Sequence, residues 1–240
     1  MLKAVLFDLD ETLLDFNLRA YLQDYNLKFS SLAAEISGLE IETIERGFLT
    51  AISTMMGDHD HDLFKTNLDV FCETFFEQTG IDLSDPIIVE PFNYLYDHVL
   101  SERPGHAGPK EGMREVVEQV FDLGLEVVLA TNPTFPLKVT WPRLAWANVQ
   151  DLPFKLITSA ENSRRCKPHT LYYQDISEFL GIDLSDCLMV GDSLFYDIPD
   201  PACKLKTFTL EPATDQARQQ FTPAFRGSKD ELLTLIKSLM

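Results

Sequence analysis

The sequence predicts an α/β fold: a doubly wound parallel sheet with an all-helical segment inserted after its first strand. Three observations carry this reading. Short apolar runs at residues 3–8, 125–130, about 155–158, 187–190 and 205–210 have the length and composition of strands. Amphipathic helical stretches separate most of them, and strands alternating with helices imply a parallel sheet covered on both faces. Residues 17 to about 100 break the alternation, being rich in Phe, Leu and acid and without a convincing strand.

The elements follow in order. The first strand runs straight into acid in VLFDLDETLLD, residues 5–15. Within the helical segment, FKTNLDVFCETFFEQTG (64–80) is amphipathic and stops at a glycine. RPGHAGPKEG (103–112), rich in Pro and Gly, reads as the linker that returns the chain to the sheet. EGMREVVEQVFDLG (111–124) places Met113, Val116, Val117, Val120 and Phe121 at helical spacing and ends in Gly124. TLYYQDISEFLG (170–181) repeats that pattern, and KDELLTLIKSLM forms the last helix. GIDLSD occurs at 80–85 and again at 181–186. Each copy follows a helix and the flanks differ, so it reads as a shared way of stopping a helix and not as a repeat.

Composition bounds the function. At 240 residues with 45% hydrophobic content, the chain can build one large domain or two small ones around a real core. No apolar run reaches the roughly 18 residues of a membrane span, and MLKAVLFDLDE meets acid too soon for a signal peptide. A soluble cytoplasmic protein is expected. Cys72, Cys166, Cys187 and Cys203 form no CxxC pair, so reduced, mostly buried thiols are expected. The net charge is −18, and residues 15–103 hold 17 acids against 5 bases. That balance argues against nucleic acid and against anionic membrane surfaces as partners. Nothing in the sequence indicates an oligomeric state.

The chemistry gathers at the strand ends, where open parallel sheets bind ligands. The first strand ends at Asp8, with Asp10 two residues on. The second ends at Thr131-Asn132-Pro133, the loop after the third holds Lys167 in RRCKPH, and the fourth ends at Gly191-Asp192 with Asp197 following. Each type suits phosphoryl transfer, which needs positioning and charge neutralisation. A carboxylate can be the nucleophile; Mg²⁺ takes carboxylate oxygens together with water; Lys offers a compact positive charge. Residues i and i+2 of an extended chain share a side, so Asp8 and Asp10 are expected to face one substrate while Leu9 turns away. One would attack phosphorus, and the other would protonate the leaving oxygen and then deprotonate a water.

The motifs FDLDET, LATN, CKP and GDSLFYD, in this order and on these strand–loop contexts, resemble those of the haloacid dehalogenase (HAD) superfamily in its phosphatase-like branch. The resemblance covers residues 3–15 and 103–210. It implies a Rossmann-like core of residues 1–16 and 103–240, and a helical cap domain of residues 17–102 that closes over the site and selects substrates. It further implies a Mg²⁺-dependent phosphatase that hydrolyses a small phosphorylated metabolite through an aspartyl-phosphate. In those terms Asp8 is the nucleophile and a Mg²⁺ ligand, and Asp10 is the general acid/base with its carbonyl on the metal. Thr131 and the Asn132 amide bind phosphate, and Lys167 orients the nucleophile and balances the phosphoryl charge. Asp192 is a direct metal ligand, and Asp197 supports the metal site.

Asp10 discriminates within that family. Dehalogenases lack this second Asp; phosphonatases replace it and use a cap Lys, whereas this segment has only Lys28 and Lys65. Mutases keep it, so a phosphosugar mutase remains an alternative, as does a non-catalytic regulatory protein on the same scaffold. The acidic helical segment favours a single phosphate with a neutral or partly cationic remainder over polyphosphates.

Plainer readings stand beside these. Asp8 and Asp10 could cap a helix, Thr131-Asn132-Pro133 could be a simple turn, Lys167 a solvated loop charge, and Asp197 a cap for the turn near Pro199. GDSL (191–194) matches a serine-esterase signature, but that chemistry needs a downstream His and the last one is His169. GDHDHD (57–62) puts Asp58, Asp60, Asp62 and Asp69 on calcium-loop positions, yet Leu63 stands where that loop needs Gly; a solvated loop is expected, with contact to metal or substrate the alternative. Trp141 and Trp146 suggest core packing or a partner surface. Arg164 and Arg165 are either exposed loop arginines or a source of positive potential at the mouth of the site.

Overall fold

The computed structural model describes residues 1–57, 64–215 and 222–240. Residues 58–62 of the GDHDHD stretch lie outside the described residues. A six-stranded parallel sheet forms the centre, built from β1 (Ala4–Phe7), β4 (Glu126–Leu129), β5 (Leu156–Ile157), β6 (Cys187–Gly191), β7 (Lys206–Leu210) and β8 (Phe225–Gly227) in the order β5-β4-β1-β6-β7-β8. β1 is buried at every residue, and its unbroken AVLF is what a strand covered on both faces requires. Register fixes the site: Phe7 lies opposite Leu129 on one side and Val190 on the other. The residues that follow β1, β4 and β6 therefore emerge at one edge. From β1 the chain winds first to β4 and β5 and then to the other side, so that edge lies at a topological switch point.

Helices cover both faces. Val5, Phe7, Val127, Leu129 and Val190 pack with α5 (Met113–Asp122) and α8 (Lys229–Leu239). The alternate residues Leu6, Val128 and Met189 pack with Tyr172, Tyr173 and Ile176 of α7 (Thr170–Leu180). α6 (Leu137–Trp146) follows β4. The strands match their predicted positions within a residue or two. β8 was not expected, since FRG carries no apolar run.

Between β1 and β4 the described residues form four helices: α1 (Leu18–Ser37), α2 (Ile41–Met56), α3 (Asn67–Thr79) and α4 (Pro86–His98). Local signals delimit them. Asn17 caps α1 and Gly38 ends it at φ 73°. Thr66 and Asp69 form a capping box on α3, so the described Asp69 serves as a helix cap. Gly80 ends α3, and Asp85 caps α4, whose first residue is Pro86. The two GIDLSD copies behave alike, with Gly80 and Gly181 in left-handed stops and Asp82 and Asp183 accepting from the serine amide two residues on, each at 2.8 Å. The expected linker at 103–112 contains a strand instead: β3 (Gly108–Pro109) pairs antiparallel with β2 (Leu14–Asp15), closing the base of the helical segment.

That segment is stitched to the site edge. Asn67 Nδ2 donates to the Pro133 carbonyl at 3.1 Å, and its backbone N–H donates to Ser163 O at 2.8 Å. Lys138 on α6 holds Asp97 and Asn93 of α4. Trp146 is buried against Phe16 and Tyr21, whereas Trp141 is half exposed. Cys166, Cys187 and Cys203 are buried free thiols. Among the described residues, no helix is long and apolar enough to cross a membrane.

Candidate active site

Lys167 is the hub of the sheet edge. Its side chain is buried, and its Nζ donates to Asp8 Oδ1 at 2.7 Å and to Asp197 Oδ1 at 2.6 Å. The backbone N–H of Lys167 donates to Asn132 Oδ1 at 3.1 Å, tying the loop after β5 to the loop after β4. Asp197 uses its other oxygen to accept from the Ser193 N–H at 3.0 Å. It thus bridges Lys167 to the turn after β6. Gly191 makes room for that bridge: a Cβ there would lie 2.0 Å from Asp197 Oδ2.

Asp8, Asp192 and Asp197 each offer a carboxylate oxygen within 4.8 Å of the others, and all are buried. Asp192 accepts from Thr12 Oγ1 at 3.0 Å and from Thr214. Burial is the main force raising all three pKa values, each to about 6, with neighbouring carboxylates adding to it. Burial lowers the Lys167 pKa, but Asp197 and Asp8 outweigh it and hold the ammonium well above its ordinary value. A cluster of hard oxygen donors, crowded and desolvated in this way, suits a small divalent cation such as Mg²⁺.

Asp10 takes a different partner. Its Oδ2 accepts from Arg143 Nη2 at 3.0 Å. Arg143 comes from α6, is fully buried, and also lies over the Phe135 ring with its carbon 4.8 Å from the centroid. Burial raises the Asp10 pKa while Arg143 and Lys167 pull it down, and the net direction is upward. Asp10 Oδ1, Arg143 Nε and Arg143 Nη1 are buried without hydrogen-bond partners among the described residues. Counting Asp8, Asp10, Asp192 and Asp197 against Lys167 and Arg143, the edge carries two uncompensated negative charges, which one divalent cation would balance.

A cavity of about 1510 Å³ opens from this edge into the helical segment. Asp8, Asp10, Asn132, Lys167 and Asp192 all line it. Leu9 between the two carboxylates is fully buried. Thr131 is buried with its Oγ1 3.4 Å from Arg143 Nη2, and it is not among the lining residues. Arg164 pairs with Asp175, and Arg165 is buried with its guanidinium donating to Arg164 O at 2.7 Å. Neither lines the cavity, so the reading of Arg165 as an exposed loop arginine is corrected: its side chain folds inward. Ser193 of GDSL donates to Asp215 Oδ2 at 2.5 Å, and no His is among its hydrogen-bond partners in the described residues.

Sequence reasoning missed Arg143, Thr12 and Thr214. Arg143 alone left a trace. It sits four residues after Val139 and next to Leu144, on the stripe that α6 buries.

Comparison with known proteins bears on the fold and the family. No curated protein matches the chain. Solved structures share its fold at low identity. A predicted phosphoglycolate phosphatase from Haemophilus somnus 129PT aligns at TM-score 0.58 and 18% identity, covering 98% of both chains. The putative HAD-hydrolase YfnB from Bacillus subtilis, bound to magnesium, aligns at 0.56 and 19%, also over 98% of both. L-2-haloacid dehalogenase from Xanthobacter autotrophicus, with chloropropionic acid covalently bound, aligns at 0.55 and 15% over both chains in full. The sequence model of the haloacid dehalogenase-like hydrolases matches residues 2–199, and the chain belongs to that family.

Proposed function

We propose that this protein is a Mg²⁺-dependent phosphomonoester hydrolase working through an aspartyl-phosphate on Asp8. The observation that carries the reading is the second carboxylate: Asp10 lines the same cavity as Asp8 and is held by its own buried cation. A hydrolase that displaces a good leaving group such as halide has no use for a proton donor beside its nucleophile. One that expels an alkoxide does.

Asp8 attacks phosphorus, forming an O–P bond as the ester P–O bond breaks, and Asp10, which takes up a proton as the ester binds, gives it to the departing alkoxide. Asp10 then takes a proton from water, which attacks the acyl phosphate, releasing inorganic phosphate and restoring Asp8. Lys167 keeps the Asp8 carboxylate aimed and offsets charge on the phosphoryl oxygens. Asn132 and the backbone after β4 hold those oxygens. Asp8, Asp192 and Asp197, with the Asp10 carbonyl, would hold Mg²⁺, which neutralises phosphoryl oxygens when bound. Helices α1–α4 serve as the cap that excludes water and selects the ester. The Mg²⁺ in the Bacillus subtilis neighbour and the phosphatase description of the Haemophilus somnus neighbour support this reading.

The test is the Asp8→Asn protein, assayed with p-nitrophenyl phosphate and MgCl₂. Hydrolysis at least about 10³-fold below wild type, in a protein with an unchanged circular dichroism spectrum, is expected. Retained turnover overturns the mechanism. Assaying wild type with 2-chloropropionate in parallel addresses the dehalogenase relatives; halide release faster than phosphate release would reverse the assignment.

A further inference from the structure

We infer that the cavity accepts a monophosphate whose alcohol part is a bulky apolar group, an aromatic ring system or an aliphatic chain, seated among α1–α4. This rests on the phosphomonoesterase reading and names its substrate class. In-line attack by Asp8 places the leaving oxygen opposite the attacking one. The alcohol therefore projects away from the sheet edge, and the helical segment is what it meets there.

The cavity is built for such a group. Its volume of about 1510 Å³ exceeds the roughly 300–1,000 Å³ of ordinary small-molecule sites. All four helices turn accessible apolar side chains into its wall, among them Leu22 of α1, Ile52 of α2, Phe71 of α3 and Val89 of α4, and the buried rings of Phe29 and Phe48 border it as well. The rings hold one another in place: Phe29 stands 4.7 Å from Phe92 and 5.0 Å from Phe48, and Phe48 stands 5.5 Å from Phe71, centroid to centroid. Against these rings a sugar or polyol would lose water from its hydroxyls without a partner in return, although Asn17, Gln23, Asn26 and Asn93 also line the cavity.

Charge points the same way. Apart from Asp8, Asp10 and Asp192, the lining carries five carboxylates, Asp15, Asp82 and Glu161 among them, against Arg19, Lys138 and Lys167. Lys138 is already held by Asp97. A second phosphate or a carboxylate on the substrate would enter a negative field.

Ethyl and hexyl phosphate separate the possibilities, because their alkoxide leaving groups have nearly the same basicity. With wild type and MgCl₂, kcat/KM for hexyl phosphate should exceed that for ethyl phosphate by about tenfold or more; complete burial of four added methylenes would give roughly 200-fold. Binding of ethyl- and hexylphosphonate, measured by calorimetry on the same protein, should show a ratio of at least tenfold in the same direction. Tighter hexylphosphonate binding without hydrolysis of any ester would sink the phosphatase reading and leave the apolar site standing. Equal affinities, or binding of neither phosphonate, overturn the inference whether or not the esters turn over.

Discussion

Arg143 Nη2 donates to Asp10 Oδ2 at 3.0 Å, and the guanidinium that makes this bond is buried with two of its nitrogens unpartnered. A desolvated cation with orphaned donors costs stability. Its presence is explained by what it holds: the carboxylate assigned as general acid and base, kept over the cavity floor. Arg143 itself does not line that cavity, so in the proposed reaction it would position Asp10 without touching the ester. Arg143→Met should lower kcat by about 10²-fold or more, the scale of general acid–base assistance, with little change in KM. Arg143→Lys, which keeps the charge on a different shape, should recover part of the rate. A rise in KM matched by an unchanged kcat would show that Arg143 binds substrate instead.

The same pair makes a stability prediction. Removing one partner of a buried pair typically costs about 3–5 kcal/mol, while replacing both is far gentler. Asp10→Asn should therefore destabilise the protein through the stranded Arg143, and Asp10→Asn with Arg143→Met should regain most of that loss. Urea unfolding of the four proteins gives the coupling energy. A double variant as unstable as the sum of the singles would mean that the pair is not coupled.

Gly191 and Asp197 form a second relationship that substitution can test. A methyl group on Gly191 would collide with the Asp197 carboxylate at 2.0 Å and 2.4 Å, and must push it off Lys167. Gly191→Ala should cost about 10²-fold in kcat, the scale of an ångström-sized displacement in a catalytic set, and should mimic Asp197→Asn. Full activity in Gly191→Ala would mean that the edge tolerates movement of Asp197.

Why were some of these residues legible in the sequence and others not? Asp8 and Asp192 stand where unbroken apolar runs stop, and parallel strands buried on both faces make that boundary sharp. Lys167 was legible from its loop in the order of motifs. Arg143 was hidden because a basic residue on a helix is ordinarily solvated, and its partner Asp10 lies 133 residues away. Thr12 reads locally as the start of a turn, and only the pairing of β1 with β6 brings it to Asp192. β2, β3 and β8 have two or three residues each and exist through their neighbours, so they leave no periodicity to detect. Asp197 was found in sequence, yet its bond to Lys167 depends on a glycine gap visible only in three dimensions.

Lys167 separates two buried carboxylates, and its removal should be felt twice. Lys167→Met leaves Asp8 and Asp197 facing each other with no ammonium between them. Activity should fall by about 10³-fold, and stability without metal by about 3–5 kcal/mol. Adding Asp197→Asn to Lys167→Met should restore stability but not activity, because charge crowding is relieved while Asp8 stays unaimed. Restored turnover in that double variant would remove Lys167 from the mechanism.

The proposed metal dependence rests on the two negative charges left over at the edge. A cation bound only by the folded state stabilises it by about 2.7 kcal/mol at a concentration 100 times its dissociation constant. Wild-type protein should therefore unfold at higher temperature in MgCl₂ than in EDTA, and phosphate release should stop on chelation and return when Mg²⁺ is restored. Asp192→Asn removes one of the three clustered carboxylates. It should abolish the thermal shift as well as the activity, while its stability in EDTA equals or exceeds that of wild type, since one buried charge is gone. The stability comparison distinguishes a lost ligand from a damaged fold. If Asp192→Asn is as unstable in EDTA as a core cavity variant, Asp192 holds the strand end together, and the ion, if one binds, sits elsewhere.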